Sequence, residues 1–188
     1  MPKHILFLQG AGEGAYDADA KLVQSLSREL GGDYEVIFPP MPHEEAPSYE
    51  AWKSAIEEAI AQAEAPLVLV GHSAGASMLL KYLSENKPKT EIAGMFLLAA
   101  PFWGGEGWLY PGYEALELPK NLEAKLPKEA PVFLYYNRDD EIVAFNHLAL
   151  YKTLLPHATE RSRKQGGHMF GNDIGFVAED IQKLTSAS

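Results

Sequence analysis

Apolar runs of strand length alternate along the chain with stretches in which apolar residues recur every three or four positions. The runs predict strands at 4–8, 34–38, 66–70, 93–99, 132–136 and 159–163. Most are apolar throughout instead of alternating, as strands buried on both faces must be. Between them, 18–30 places Leu22, Val23, Leu26 and Leu30 on one helical face, and Gly31 follows as a stop. The stretch 48–63 does the same with Trp52, Ile56 and Ile60, and further helices are expected at 74–84, 146–155 and 173–184. Strand and helix in regular succession imply βαβ units. The expected architecture is one α/β domain over 1–188, with a mostly parallel six-stranded sheet and helices on both faces.

One segment breaks the rhythm. Residues 101–127 are rich in Gly, Pro and aromatics, including Phe102, Trp103, Trp108, Tyr110 and Tyr113, and show no period. An insertion of that length between strands is usually functional or mobile. It reads either as a small cap over a site at the sheet edge or as a packed loop that fills a gap.

Composition removes several classes of chemistry. Cysteine is absent, which excludes disulfides, thiolate metal sites and a cysteine nucleophile. Lys and Arg number 16 against 26 Asp and Glu, giving a formal charge of −10, so nucleic acid and anionic membranes would be repelled. None of the six histidines has metal-ligand spacing such as H-E-x-x-H, and no metal or other cofactor is expected. The apolar run at 4–8 is too short for a signal-peptide core and no small-residue cleavage site follows it, which points to a cytoplasmic protein.

The chemistry concentrates in Gly71-His72-Ser73-Ala74-Gly75, a G-x-S-x-G pentapeptide. It follows the apolar run Leu67-Val68-Leu69-Val70 and opens a helical stretch, the strand–turn–helix setting of a nucleophile elbow. The strained turn makes the Ser73 hydroxyl project, and strand and helix pass so closely that only glycine fits at Gly71 and Gly75. The same turn directs the Ala74 N–H, at the positive end of a helix, to where an oxyanion would form.

A serine hydroxyl needs a base. His168 is the candidate, because Gln165-Gly166-Gly167-His168 forms a flexible loop just after the last expected strand, at the sheet edge that also carries Ser73. A carboxylate must then orient the histidine, and Asp139-Asp140-Glu141 leaves the fifth strand at that edge. The loop Gln9-Gly10-Ala11-Gly12 after the first strand offers a second oxyanion donor, the Ala11 N–H. Each residue also has a plainer reading: Ser73 as a helix N-cap, Asp140 as a turn aspartate, His43 as a solvated loop residue, and His72 as a structural residue pointing inward.

With these residues in place the chain resembles the α/β-hydrolase superfamily, and in particular its small members similar to retinoblastoma-binding-protein-type serine hydrolases and their bacterial relatives. The resemblance rests on Gln9 to Gly12, Gly71 to Gly75, Asp139 to Val143, Gly167-His168 and Asn172-Asp173. It implies a Ser73–Asp140–His168 triad, since the family's acid stands three residues before a Val that precedes Pro. Here Ala144 stands in the proline's place, and Gln9 where many relatives have histidine. It further implies hydrolysis of a small-molecule carboxylic ester or related acyl substrate through an acyl-enzyme, by a chain taken as monomeric by default.

Two rivals belong to other classes. Gly10-Ala11-Gly12-Glu13-Gly14-Ala15 matches a G-x-G-x-x-A dinucleotide fingerprint, but the second strand ends in Phe38-Pro39-Pro40 instead of an acidic residue, and the following helix reads as starting late, near Asp17. The other rival is a catalytically silent binding protein on the same fold.

Overall fold

The structure, a computed structural model, describes residues 2–105 and 107–186 of the chain. Glu106, inside the 101–127 insertion, and Met1, Ala187 and Ser188 lie outside the described residues. Six strands form one sheet: β1 (Lys3–Leu8), β2 (Tyr34–Ile37), β3 (Leu67–His72), β4 (Ile92–Leu98), β5 (Val132–Asn137) and β6 (Thr159–Arg163). Their order is β2-β1-β3-β4-β5-β6, and every neighbouring pair is parallel. The helices are α1 (Ala15–Leu30), α2 (Tyr49–Gln62), α3 (Ala74–Glu85), α4 (Leu122–Lys125), α5 (His147–Leu154) and α6 (Gly175–Ser186).

Strand alternation sorts the apolar residues into two cores. Ile5 and Phe7 of β1, Val68 and Val70 of β3 and Tyr135 of β5 meet Leu22, Leu26 and Leu30 of α1 and Val177 and Ile181 of α6. Leu6, Leu8, Leu69, Leu97 and Tyr136 face the other way, against Trp52, Ile56 and Ile60 of α2 and Met78, Leu79 and Leu83 of α3. Every residue of β3 is buried, which explains why that run lacks alternation. At the edge, β6 is mostly exposed, and its Glu160, Arg161 and Arg163 disfavour further strand addition.

Most element ends lie within one or two residues of expectation, α6 beginning and ending two residues late, and two of the differences have a physical reason. β3 runs on through Gly71 and His72, because Ser73 N–H still bonds the Leu98 carbonyl of the next strand, so the turn begins only at Ser73. α1 starts at Ala15, three residues before the expected 18–30. Its N-cap Gly14 is left-handed and has no side-chain cap. Glu44, from the loop after β2, supplies one by accepting the N–H groups of Gly14 (2.9 Å) and Tyr16 (2.8 Å). The late helix start read from the sequence is therefore corrected.

The chain passes from β1 to β2 on one side and returns to β3 on the other. The loops after β1 and β3 thus diverge at the point where a parallel sheet opens a crevice. Among the described residues, no helix is long and apolar enough to cross a membrane.

Candidate active site

The elbow is built by sterics. Ser73 has φ 51° and ψ −128°, a left-handed conformation that a residue with a Cβ holds only when its surroundings force it. A Cβ on Gly71 would lie 2.6 Å from Ala76 Cα, and one on Gly75 would run into the Gln9 and Leu8 carbonyls. Either contact would push β3, α3 and the β1 loop apart, so the two glycines are required by close approach. Gly10 completes the fit, since a Cβ there would sit 3.2 Å from that of Ser73.

The loops after β5 and β6 interlock through three consecutive carboxylates. Asp140 faces the His168 ring, with its oxygens 2.9 and 3.1 Å from Nδ1. Asp139 instead accepts the Gly166 and Gly167 N–H groups at 3.1 and 2.9 Å, and Glu141 accepts the His168 N–H at 3.1 Å. Of the two aspartates the sequence offers, Asp140 therefore meets the ring and Asp139 braces the loop. Asp140 also receives the Ile142 and Val143 N–H groups, both at 2.8 Å. Burial works to raise its pKa, but the His168 ring and those two N–H groups outweigh it and hold the carboxyl below its ordinary range. With Nδ1 against a carboxylate, the neutral His168 ring carries its proton there and leaves a lone pair on Nε2.

Ser73 and His168 line one cavity of about 310 Å³ at the C-terminal edge of the sheet. No hydrogen bond joins them among the described residues, so the structure brings Asp140 to His168 directly and Ser73 to His168 only as walls of a shared space. Ala11 and Ala74 line the same cavity, and among the described residues neither of their N–H groups has an acceptor within the chain. Gly10, Ala11, Gly12, Ala15 and Ala18 form a wall of small residues. Trp103 and Trp108 add aromatic surface, their rings perpendicular with centroids 4.9 Å apart. Trp103 is tied to the elbow helix by its indole N–H, which donates to Ser77 Oγ at 2.9 Å.

The 101–127 insertion divides accordingly. Its first part supplies the two tryptophans, with Leu109 and Tyr110 exposed beside them. Its second part carries the short α4 and buries Leu122 and Leu126 against the α3 side of the core, an element the sequence showed only as aperiodic chain.

Several residues that shape the site were missed from sequence. His72 is buried, as expected, but it is paired with Asp19 of α1. Asp19 had a readable signal: it stands three and seven positions before Leu22 and Leu26, on the apolar face of α1, where a carboxylate requires a partner. Glu44 had none, because its hold on the first loop depends on a long-range approach. That hold includes a 2.5 Å hydrogen bond from Gln9 Nε2, and the Tyr16 N–H, with smaller help from Gln9 and Gly14, lowers the Glu44 pKa despite the effect of burial. The same carboxylate occupies the N–H groups at the start of α1 that a pyrophosphate would need, which argues against the dinucleotide reading. His43 is exposed, and buried His147 accepts the Phe102 N–H on Nδ1 at 2.8 Å, bracing the insertion.

Residues 25–177 match a family model described as serine hydrolase. No curated protein matches the chain in sequence. Among solved structures, the ydeN gene product of B. subtilis superposes with a TM-score of 0.70 at 16% identity, covering 98% of this chain and 99% of that one. The esterase domain of a Rhodothermus marinus protein gives 0.68 at 20% identity, covering 98% and 87%. A lipase-esterase related protein from Clostridium acetobutylicum gives 0.68 at 15%, covering 97% and 94%. At these identities the likeness carries the fold alone.

Proposed function

The chain belongs to the serine hydrolase family, and from that premise we propose that it cleaves carboxylic esters through an acyl-enzyme on Ser73, with His168 as base and Asp140 as the acid that orients it. The observation that carries this reading is the Asp140–His168 pair opening onto the same cavity as a conformationally strained serine.

In the proposed reaction His168 Nε2 takes the Ser73 hydroxyl proton as Oγ attacks the carbonyl carbon. The Ser73 hydroxyl turns onto Nε2 once substrate fills the cavity, since such hydrogen bonds are often long or absent without it. The developing oxyanion is held by the Ala11 and Ala74 N–H groups, which have no acceptor among the described residues, and this supports the assignment. Collapse expels the alkoxide, which takes the proton from His168. Water, deprotonated by His168, then attacks the acyl carbon, and Ser73 leaves with the returned proton. Asp140 keeps the imidazole oriented and balances the imidazolium charge.

The cavity also bears on substrate class. Among the described residues no Lys or Arg lines it, whereas Glu13 does, so an acyl group bearing its own carboxylate would be repelled. A slot between a Gly/Ala wall and two indoles suits a neutral short or aromatic acyl chain, with the tryptophan part of the insertion as a small cap over it. Such a reaction takes a small-molecule substrate and uses no cofactor.

Labelling with a fluorophosphonate, read by intact mass, tests the reading without knowledge of the substrate. One adduct on the wild type that vanishes in Ser73→Ala is expected, followed by turnover of acetyl to benzoyl p-nitrophenyl esters. No adduct on folded wild type would leave the catalytically silent binding protein in its place.

A further inference from the structure

Beside the Asp140–His168 pair lies a second histidine–aspartate pair, buried more deeply. His72 Nδ1 is 2.9 Å from both oxygens of Asp19, and its Nε2 is 3.1 Å from the main-chain carbonyl oxygen of His168. Both side chains are almost wholly out of water. A neutral imidazole has one N–H and would leave a lone pair facing one of these oxygens, whereas imidazolium donates at both nitrogens. Asp19 Oδ2 in addition accepts the Gly10 N–H at 2.8 Å.

These bonds join three separate segments of the chain. Gly10 belongs to the loop after β1, His72 immediately precedes Ser73, and His168 lies beyond β6. We propose that Asp19 and protonated His72 form a buried ion pair whose role is to position the base and the first loop relative to the elbow, holding His168 by its main chain and the loop by Gly10. The kinetic part rests on the hydrolase reading above, while the charge state of His72 rests on geometry alone. Burial disfavours the charged ring, but the Asp19 carboxylate, the His168 carbonyl and the nearby Asp140 outweigh it, so the His72 pKa is raised. The other groups facing the pair are the His168 ring, with centroids 4.7 Å apart, and, through the His168 N–H, Glu141.

A misplacement of about 1 Å at a reacting group can cost on the order of 100-fold in rate. His72→Gln removes the charge and one of the two donors. It is expected to lower kcat about 10- to 100-fold with little change in KM. Asp19→Asn is the conservative variant. Asn can accept from Gly10 through Oδ1 and donate to Nδ1 of a neutral His72, which still donates to the His168 carbonyl. It should therefore recover most of the rate lost in His72→Gln, and both variants should move the acid limb of the labelling profile to higher pH, because each removes the cation beside the base.

The experiment combines two measurements on the full chain: the 15N imidazole NMR spectrum of wild type at pH 8, and fluorophosphonate labelling rates of wild type and both variants from pH 5 to 9. Two protonated nitrogens on His72, with slowed labelling and a displaced acid limb, support the proposal. One unprotonated His72 nitrogen overturns the charged pair. Folded variants that label at the wild-type rate with an unmoved limb overturn the positioning role. If the wild type itself does not label, the hydrolase reading has failed, and the spectrum alone still decides the charged pair. If His72→Gln does not fold, Asp19→Asn and the spectrum decide.

Discussion

His168 and His72 each set Nδ1 2.9 Å from an aspartate, and their rings lie within van der Waals reach of one another, yet the two regions they belong to are built for different ends. His168 lines the cavity shared with Ser73 and its Nε2 has no hydrogen-bond partner among the described residues, whereas that of His72 is closed against a carbonyl. On the proposed mechanism, then, pairing with a carboxylate does not by itself make a histidine a base. What the second nitrogen faces decides it: a lone pair left free can take a proton, and a nitrogen held against an acceptor can only give one.

Substitution tests this contrast most forcefully at the reacting groups. Ser73→Ala and His168→Ala are each expected to lower ester turnover by about 10⁶, with the double variant no slower than either, because the groups act as a unit. Turnover surviving in His168→Ala but lost in the folded His72→Gln would exchange the roles assigned to the two rings.

A smaller loss should separate the neighbouring aspartates. Asp140→Asn is expected to cost roughly 10³ to 10⁴ in kcat by favouring the wrong tautomer of His168. Asp139→Asn touches the Gly166 and Gly167 N–H groups and not the His168 ring, and should cost less than about tenfold, since it leaves the tautomer unchanged. Equal losses in steady-state assays of the two variants would mean that bracing the loop matters as much as orienting the ring.

The pairs should also respond to pH in opposite senses. The raised His72 pKa gives stability that is full below the ordinary histidine value of 6.5 and lost as pH rises through the folded-state value. The lowered pKa values of Asp140, Asp139 and Glu44 give stability present above about pH 4 and lost as pH falls through their folded-state values. Urea midpoints from pH 3 to 10 should form a dome, and in Asp19→Asn its alkaline shoulder should flatten while the acid side stays. An unchanged alkaline side would show that His72 carries no charge to lose.

The smallest effect is expected at Glu44, which holds the first loop and the start of α1. Glu44→Ala leaves the start of α1 uncapped and should lower stability by about 1 kcal/mol, measured by urea denaturation, as for a lost N-cap. Labelling of Ser73 should fall modestly with it, because the first loop loses its anchor.

The elbow was legible because its determinants are local: an apolar run, two glycines forced by close approach, and a serine between them lie within nine residues, Leu67 to Gly75. The loops bearing Asp140 and His168 were legible because each follows a strand, and strands in a parallel sheet deliver their C-terminal ends to one edge. The 101–127 stretch was not, since aperiodic chain carries no signal of which side chains turn inward; Trp103 and Trp108 reached the cavity, while Leu122 and Leu126 sank into the core.

Hydrophobic spacing and turn chemistry thus determined, from sequence alone, the six strands, the helices other than α4, the elbow and the sheet edge where the candidate site gathers. Only the tertiary structure decided which of two adjacent aspartates meets His168, that Asp19 and His72 pair beneath it, and that Glu44 caps a helix 29 residues earlier in the chain. The physical reason is range. Periodicity and backbone sterics act between near neighbours in sequence, but a hydrogen bond between side chains 28 or 53 positions apart exists only once folding has brought them together.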